Sequence, residues 1–498
     1  MTIEEKQSKF GRVAIHGVAW RYVSYFGGKF MVFISTIFLA RLLAKDDFGI
    51  VGYALTAIAF LDVASDLGVT EAIVYYDENK RNYSTAFWIG LLIGIFLFAL
   101  SWLVAPFLVS WFHDERVLDV FRVMALTFIF SALGSTHEAV LRKNLAFGKT
   151  TIPVFLRAVS KGVISILLAF MGYGAWSLVW GQLGGTLISS ISLWWLTPWR
   201  PTFEFDLSRA RALMNFGVKD IGTNFLAMIL LNMDYWLVGR YLGAEVLGVY
   251  TLAYRLPELL ILQFARIISQ VIFPIYTKMR GQDGGLARGF EKTTTYVSLV
   301  TIPLGLGLAL VARPFTVVFL TEKWLDAVPI MQMIALYAMF LSLIHNASSA
   351  YRALGDFKSI TWLGLFRLAL LLPALWWAAS IKGSAVVVSQ VHVVVAFIGC
   401  VVGLIVAARM LGLPLRNLYL SIQPSLLAGV AMAGAVAITL RLIVDYSALL
   451  QLVIAVPVGG FIMILALWLL NRSLMQKLKQ DLLGAIQRRS SSLVEEKA

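Results

Sequence analysis

The chain has 498 residues, of which 59% are apolar and 14% charged, with a formal net charge of +14 at pH 7. A mean hydropathy of +0.80 excludes a water-soluble globular core of this size. The lone cysteine, Cys400, excludes intramolecular disulfides and cysteine-rich metal sites.

Crossing a hydrocarbon core of about 30 Å takes roughly 20 apolar helical residues, because lipid offers no partner to an open backbone group. Such stretches recur along the whole chain. In order they are Gly17–Leu43, Phe48–Gly68, Ser84–Val109, Leu118–Leu141, Thr150–Met171, Trp176–Leu196, Asn215–Gly239, Leu247–Thr277, Thr293–Ala312, Ala327–Ala350, Ser359–Ser380, Ser384–Ala408, Tyr419–Leu440 and Ala448–Asn471. Barrel strands would instead be short and alternate in polarity. The predicted fold is an all-α integral membrane protein with about 14 transmembrane helices. The polar start Met1–Arg12 precedes an apolar stretch too long for a signal-peptide core, so the first span is expected to be retained.

Orientation follows from the basic residues of short loops, which are enriched on the cytoplasmic side. With these boundaries both ends of the chain and the connections after even-numbered spans hold 25 of the 42 basic residues, and the opposite connections hold eight. Both termini are therefore expected in the cytoplasm. The positive charge is spread over the loops of one face, which fits membrane lipids with anionic headgroups and not nucleic acid.

The sequence ARLLAKDDFGIVGYA (Ala40–Ala54) recurs as GRYLGAEVLGVYTLA (Gly239–Ala253) at an offset of 199 positions, which sets Gly49 against Gly248. Six spans separate the copies, so the two halves share one orientation and are expected to be related by an axis along the membrane normal. The predicted division is an N-terminal six-helix lobe over 1–196, a cytoplasmic connection over 197–214, a second six-helix lobe over 215–408, helices 13 and 14 over 409–471, and a cytoplasmic amphipathic tail over 472–498. Parallel repeats suit transporters, although channels repeat too. The GxxxG pairs Gly90/Gly94, Gly181/Gly185 and Gly399/Gly403 are expected to serve helix packing.

Charges inside spans cost about 2.5 to 3.5 kcal/mol each on insertion scales, so they are expected to face a cavity or a partner. The spans include the cations Arg21, Lys29, Arg122, Arg157, Lys161, Lys219, Arg255, Arg266 and Arg367, and the acids Asp62, Asp66, Glu138, Asp220, Asp234 and Glu258. Arg21, Arg122 and Lys219, near span ends, have snorkelling as an alternative. Arg157 and Lys161 share a face at i, i+4, and Arg255 and Arg266, eleven apart, return to within about 20° of one face. A cavity lined by Arg21, Lys29, Arg157, Lys161, Arg255, Arg266 and Arg367 would take an anionic cargo, because the guanidinium fork matches phosphate. Arg255 has local pairing with Glu258 as its alternative, which leaves Arg266 the stronger candidate. Asp62 and Asp66 form an i, i+4 carboxylate pair suited to H⁺ or Na⁺ coupling or to bridging basic groups, and Asp234 and Glu258 are further coupling candidates. Pro257, beside Arg255, is expected to kink its span.

With these residues in view, the chain resembles the polysaccharide flippases of the multidrug/oligosaccharidyl-lipid/polysaccharide superfamily, in particular the Wzx-type, colanic acid exporter-like branch. FLARLLAKDDFGIVGYA (Phe38–Ala54), SDLGVTEAIV (Ser65–Val74), MDYWLVGRYLGAEVLGVYTLAYR (Met233–Arg255), QVIFPIYTKMRG (Gln270–Gly281) and EKWLDAVPIMQ (Glu322–Gln332) carry the resemblance. It implies a two-lobe bacterial inner-membrane transporter that moves undecaprenyl-diphosphate-linked glycan units to the periplasmic leaflet by alternating access, for exopolysaccharide, O-antigen or capsule synthesis. It also implies a cationic cavity, with Arg21, Lys29 and Arg255 as the matching positions, and partnership with glycan polymerase and export machinery. No enzyme activity and no cofactor are expected beyond a coupling H⁺ or Na⁺.

Two other readings compete. A multidrug or metabolite exporter of the same superfamily would favour an anionic lumen. A membrane glycan polymerase or ligase would place its chemistry in a large outer loop, and every predicted outer connection is short. The five histidines, His16, His113, His137, His345 and His392, lack metal-ligand spacing.

Overall fold

The computed structural model describes residues 27–63, 65, 73, 80–144, 146–281, 284–472 and 475–476, and the elements it forms there are all helical. They are α1 (27–42), α2 (Lys45–Asp62), α3 (Lys80–Phe112), α4 (Arg116–Met124), α5 (Leu126–Lys143), α6 (Phe147–Phe170), α7 (Ala175–Leu196) and α8 (Leu207–Pro257). After these come α9 (Gln263–Met279), α10 (Gly285–Phe315), α11 (Ala327–Leu354), α12 (Phe357–Trp376), α13 (Ala385–Met410), α14 (Leu415–Leu442) and α15 (Ala448–Leu470). Each expected span has helix along it, and ten helical stretches among the described residues are long and apolar enough to cross a membrane.

One of those stretches, Phe225–Met279, hides a reversal. Gly243 has φ 85° and ψ 177°, a backbone that only glycine adopts without strain, and it splits α8 into two arms. The Tyr250 hydroxyl of the second arm donates to Asp234 Oδ2 of the first at 2.8 Å, and the Tyr235 and Tyr250 rings meet edge to face. Three π turns interrupt other helices at Glu258–Leu262, Thr316–Leu320 and Trp377–Ile381. Each follows a proline, Pro257, Pro314 or Pro373, whose missing N–H and bulky ring disturb the regular ladder.

The chain gathers into two compact units, one of Met1–Leu252 with Gly364–Val388, the other of Ala253–Leu363 with Ser389–Ala498. In the first unit small residues let helices touch. A Cβ at Gly181 would lie 1.8 Å from Ser165 Oγ, and one at Gly185 would lie 2.8 Å from the Arg157 carbonyl, so α7 rides on the backbone of α6. Gly94 plays the same part between α3 and α5, where a Cβ would come 2.9 Å from the Phe128 carbonyl. These pairs are packing contacts, as small residues in membrane helices usually are.

The connection after α7 is fastened to the start of α3. Trp88 Nε1 donates to the Thr202 carbonyl at 2.8 Å, Ser84 and Thr202 share a hydroxyl bond at 2.9 Å, and Asp206 N–H donates to Thr85 Oγ1 at 3.3 Å. Arg209 bonds Asn82 Oδ1 at 2.9 Å, and Phe203 stacks on Trp88. Beside this strap His137 is fully buried and stacks on Trp194 at 4.6 Å, which fits a structural histidine.

In the second unit α10 is the central helix. Gly305 meets Met339 of α11, Ser298 donates to Ser425 of α14 at 3.0 Å, and the Tyr276 hydroxyl, Asn346 and Thr294 form a buried hydrogen-bonded chain. Gly459 packs α15 on Val436 of α14.

Candidate functional site

Within the first unit, α1 lies along α6. Gly27 touches Phe155, Gly28 touches Ala158, and Ser35 meets Gly162, so the helix bearing Lys29 runs beside the helix bearing Arg157 and Lys161. Lys29 is half-buried. Arg157 is exposed on the surface of α6. Lys161 donates to Gln182 Oε1 of α7 at 2.7 Å. The i, i+4 pair on α6 therefore starts from the face that packs on α7, and the two cations have different surroundings.

Arg367 belongs to the first unit as well. It lies one turn after Gly364, which packs on Leu226 of α8, and its Nε is buried without a hydrogen-bond partner among the described residues. In the second unit Arg255 and Glu258 form an ion pair at 3.5 Å across the start of the π turn. The local alternative for Arg255 is thus the one the fold adopts. Arg266, on α9, is exposed and makes no ion pair among the described residues.

The acidic candidates separate. Helix α2 ends at Asp62, whose carboxylate accepts the Ser65 hydroxyl at 2.7 Å. Ser65 thus bonds both the Asp62 carbonyl and its side chain at the end of the helix. Asp62 and Ser65 line a small pocket with Gly90, Phe128, Ser135 and Thr136. Asp234 is buried and engaged by Tyr250, a structural placement. Glu258 is held by Arg255. Asp66, Arg21 and the amphipathic tail from 477 onward lie outside the described residues.

Two residues join the site that spacing did not single out. Gln182 fixes Lys161 but is uncharged, so a scan for intramembrane charge passes over it. Glu138, the other, binds Arg142 one turn on. The second unit further holds a groove of about 780 Å³ lined by Leu256, Pro303, Phe315, Met432, Val453 and other apolar residues. Its lining residue Leu256 directly follows Arg255.

Residues 38–329, more than half of the chain, match the family described as polysaccharide biosynthesis protein. The chain is 27% identical over 408 residues to the teichuronic acid biosynthesis protein TuaB of Bacillus subtilis (strain 168), with 80% of this chain and 84% of that one covered. It is 25% identical over 475 residues to the succinoglycan biosynthesis transport protein ExoT of Rhizobium meliloti (strain 1021), covering 94% and 95%. The fold is similar to that of the lipid II flippase MurJ in an inward closed conformation, with a TM-score of 0.77 at 15% identity over 91% of this chain and 99% of that one. At that identity the likeness speaks for the fold alone.

Proposed function

The chain belongs to the polysaccharide biosynthesis protein family, and on that premise we propose that it is a flippase for lipid-linked oligosaccharides. Its cargo is an undecaprenyl-diphosphate-linked glycan unit, carried from the cytoplasmic to the periplasmic leaflet of the bacterial inner membrane. Both termini face the cytoplasm, and lobes over 1–196 and 215–408 alternate in exposing the cargo site. The names of two relatives, one in teichuronic acid synthesis and one a succinoglycan transport protein, point to the same substrate class.

The observation that carries the reading is the chemistry set into the helices. Cations on the predicted spans, Lys29, Arg157, Lys161, Arg266 and Arg367, suit a diphosphate, and the apolar groove of the second unit, which Leu256 lines, suits a polyprenyl chain. No bond is made or broken. The protein supplies charge to the headgroup and an oily wall to the tail. Asp62, at the end of α2 and on the wall of a small pocket with Ser65, Ser135 and Thr136, is the coupling residue in this reading.

The test is reconstituted flipping of a defined lipid-linked saccharide in proteoliposomes. Hydrogen bonds to charged groups contribute about 1.5 to 3 kcal/mol, so Arg157→Gln or Arg266→Gln should weaken apparent cargo affinity about 10- to 100-fold at unchanged protein level. Wild-type vesicles that move no such saccharide would refute the function. Unimpaired flipping by Lys29→Gln, Arg157→Gln and Arg266→Gln together would refute the site.

A further inference from the structure

The two copies of the sequence repeat touch each other, and they do so symmetrically. A Cβ on Gly49 of α2 would fall 1.8 Å from the carbonyl oxygen of Ala244 in the second arm of α8. A Cβ on Gly248 would fall 1.9 Å from the carbonyl oxygen of Lys45. At the repeat offset of 199, Gly49 corresponds to Gly248 and Lys45 to Ala244, so each contact is the image of the other. Gly52 corresponds to Thr251, and a Cβ there would sit 3.5 Å from Thr251 Oγ1, which places the local two-fold axis between them. The glycines are thus paired across the axis, and each presses bare Cα against the partner helix's backbone, an approach that any side chain forbids.

A ring of polar contacts surrounds this centre. Lys45 pairs with Glu245 at 3.5 Å, and Arg116 at the start of α4 holds both Asp46 and Asp114. The Tyr53 hydroxyl reaches the Gly239 carbonyl at 3.4 Å while its ring stacks on Phe112 at 4.2 Å. Arg240 caps the Trp111 carbonyl at 2.7 Å.

We infer that the Gly49–Ala244 and Gly248–Lys45 contacts form the outer seal of the transport path, and that Gly49 and Gly248 are positioning residues for cargo release because the seal must part there. The inference rests on the flippase reading above. Its chemistry fits a contact made and broken in every cycle. Cα–H to carbonyl contacts are weak and leave no buried charge behind. Of the flanking charges Glu245 and Arg116 are 67% and 56% exposed, whereas Lys45 is 20% exposed and Asp114 13%, so the outer partner of each pair is already largely open when the contact parts. Because the contact is self-complementary about an axis along the membrane normal, tilting either repeat away from that axis opens both halves of it at once.

The experiment needs no cargo. In a Cys400→Ser background, Ala57→Cys places a thiol at a buried position of α2, two turns beyond Gly49. Its modification by a membrane-impermeant maleimide, applied to intact cells and read by peptide mass spectrometry, reports opening of the seal. Labelling should be slow in the parent and rise about tenfold with Gly49→Ala or Gly248→Ala, as the closed population is overpacked and loses ground to the open one. Gly434→Ala, at a helical glycine with nothing within 4 Å of an added Cβ, should leave it unchanged. Lys45→Cys with Glu245→Cys, bridged by a short cleavable thiol reagent after folding, should abolish labelling until the bridge is cut. Labelling that ignores both glycine substitutions and the bridge overturns the seal. A chain that labels as expected yet flips no lipid-linked saccharide keeps the seal and overturns only the cargo.

Discussion

Arg157 shows what a single charge on a predicted span does and does not disclose. Its presence in an apolar stretch and its spacing from Lys161 are plain in the sequence, as is the possibility that Arg255 meets Glu258 three residues on. Partners further away are not, because Gln182 sits 21 residues from Lys161 on another helix. Asp62→Asn should leave protein level intact and reduce the response of flipping to an imposed proton or sodium gradient. Equal gradient dependence in the variant and the parent would remove Asp62 from coupling. A second residue reports on acid stability. The Ser359 hydroxyl at 2.6 Å and backbone N–H at 3.2 Å hold the Asp356 carboxyl below its ordinary 3.8. A folded-state value below the unfolded one means that this cap on α12 contributes fully above about pH 4 and is lost as pH falls through the folded value. Thermal unfolding in detergent should show an acid-side loss in the wild type that is smaller in Asp356→Asn.

At the scale of elements, hydrophobic length found the helices because lipid enforces it, and it found them on both sides of the break at Gly243. Hydrophobic length does not reveal where a helix stops for polar reasons. Ser65 bonds Asp62 at the end of α2, and π turns follow Pro257, Pro314 and Pro373 without any further mark in the residues. The small-residue pairs were legible as packing, but not in rank. Gly181 and Gly185 lie against α6 backbone, whereas an added Cβ at Gly403 meets nothing within 4 Å. Gly181→Ala should accordingly destabilise the protein by about 1 to 3 kcal/mol through overpacking, while Gly403→Ala should be neutral. Unfolding midpoints of the two purified variants, compared with the parent, decide between that order and its reverse. The shared face of α6 also predicts that Gly185→Ala disturbs cargo binding, since the side chain it displaces is the stem of Lys161.

For the molecule as a whole, the sequence exposes membrane residence and an internal repeat, since each follows from counts and spacings along one line. It conceals the use to which the repeat is put, because contact between residues some 200 positions apart has no local sign. Sidedness is testable directly. Lys382→Cys should react with an impermeant thiol reagent in intact cells, and Arg280→Cys only after permeabilisation, with the opposite pattern reversing the orientation. The strap from Thr197 to Arg209 bears on motion at this scale. It was expected as a simple connection, yet it is moored to α3 through Thr202, Phe203, Asp206 and Arg209, and α8 begins at Leu207 with no loose chain before it. Such a segment behaves as a splint and not as a leash. The start of α3 and the base of α8 are thereby joined through side-chain bonds as well as through the chain.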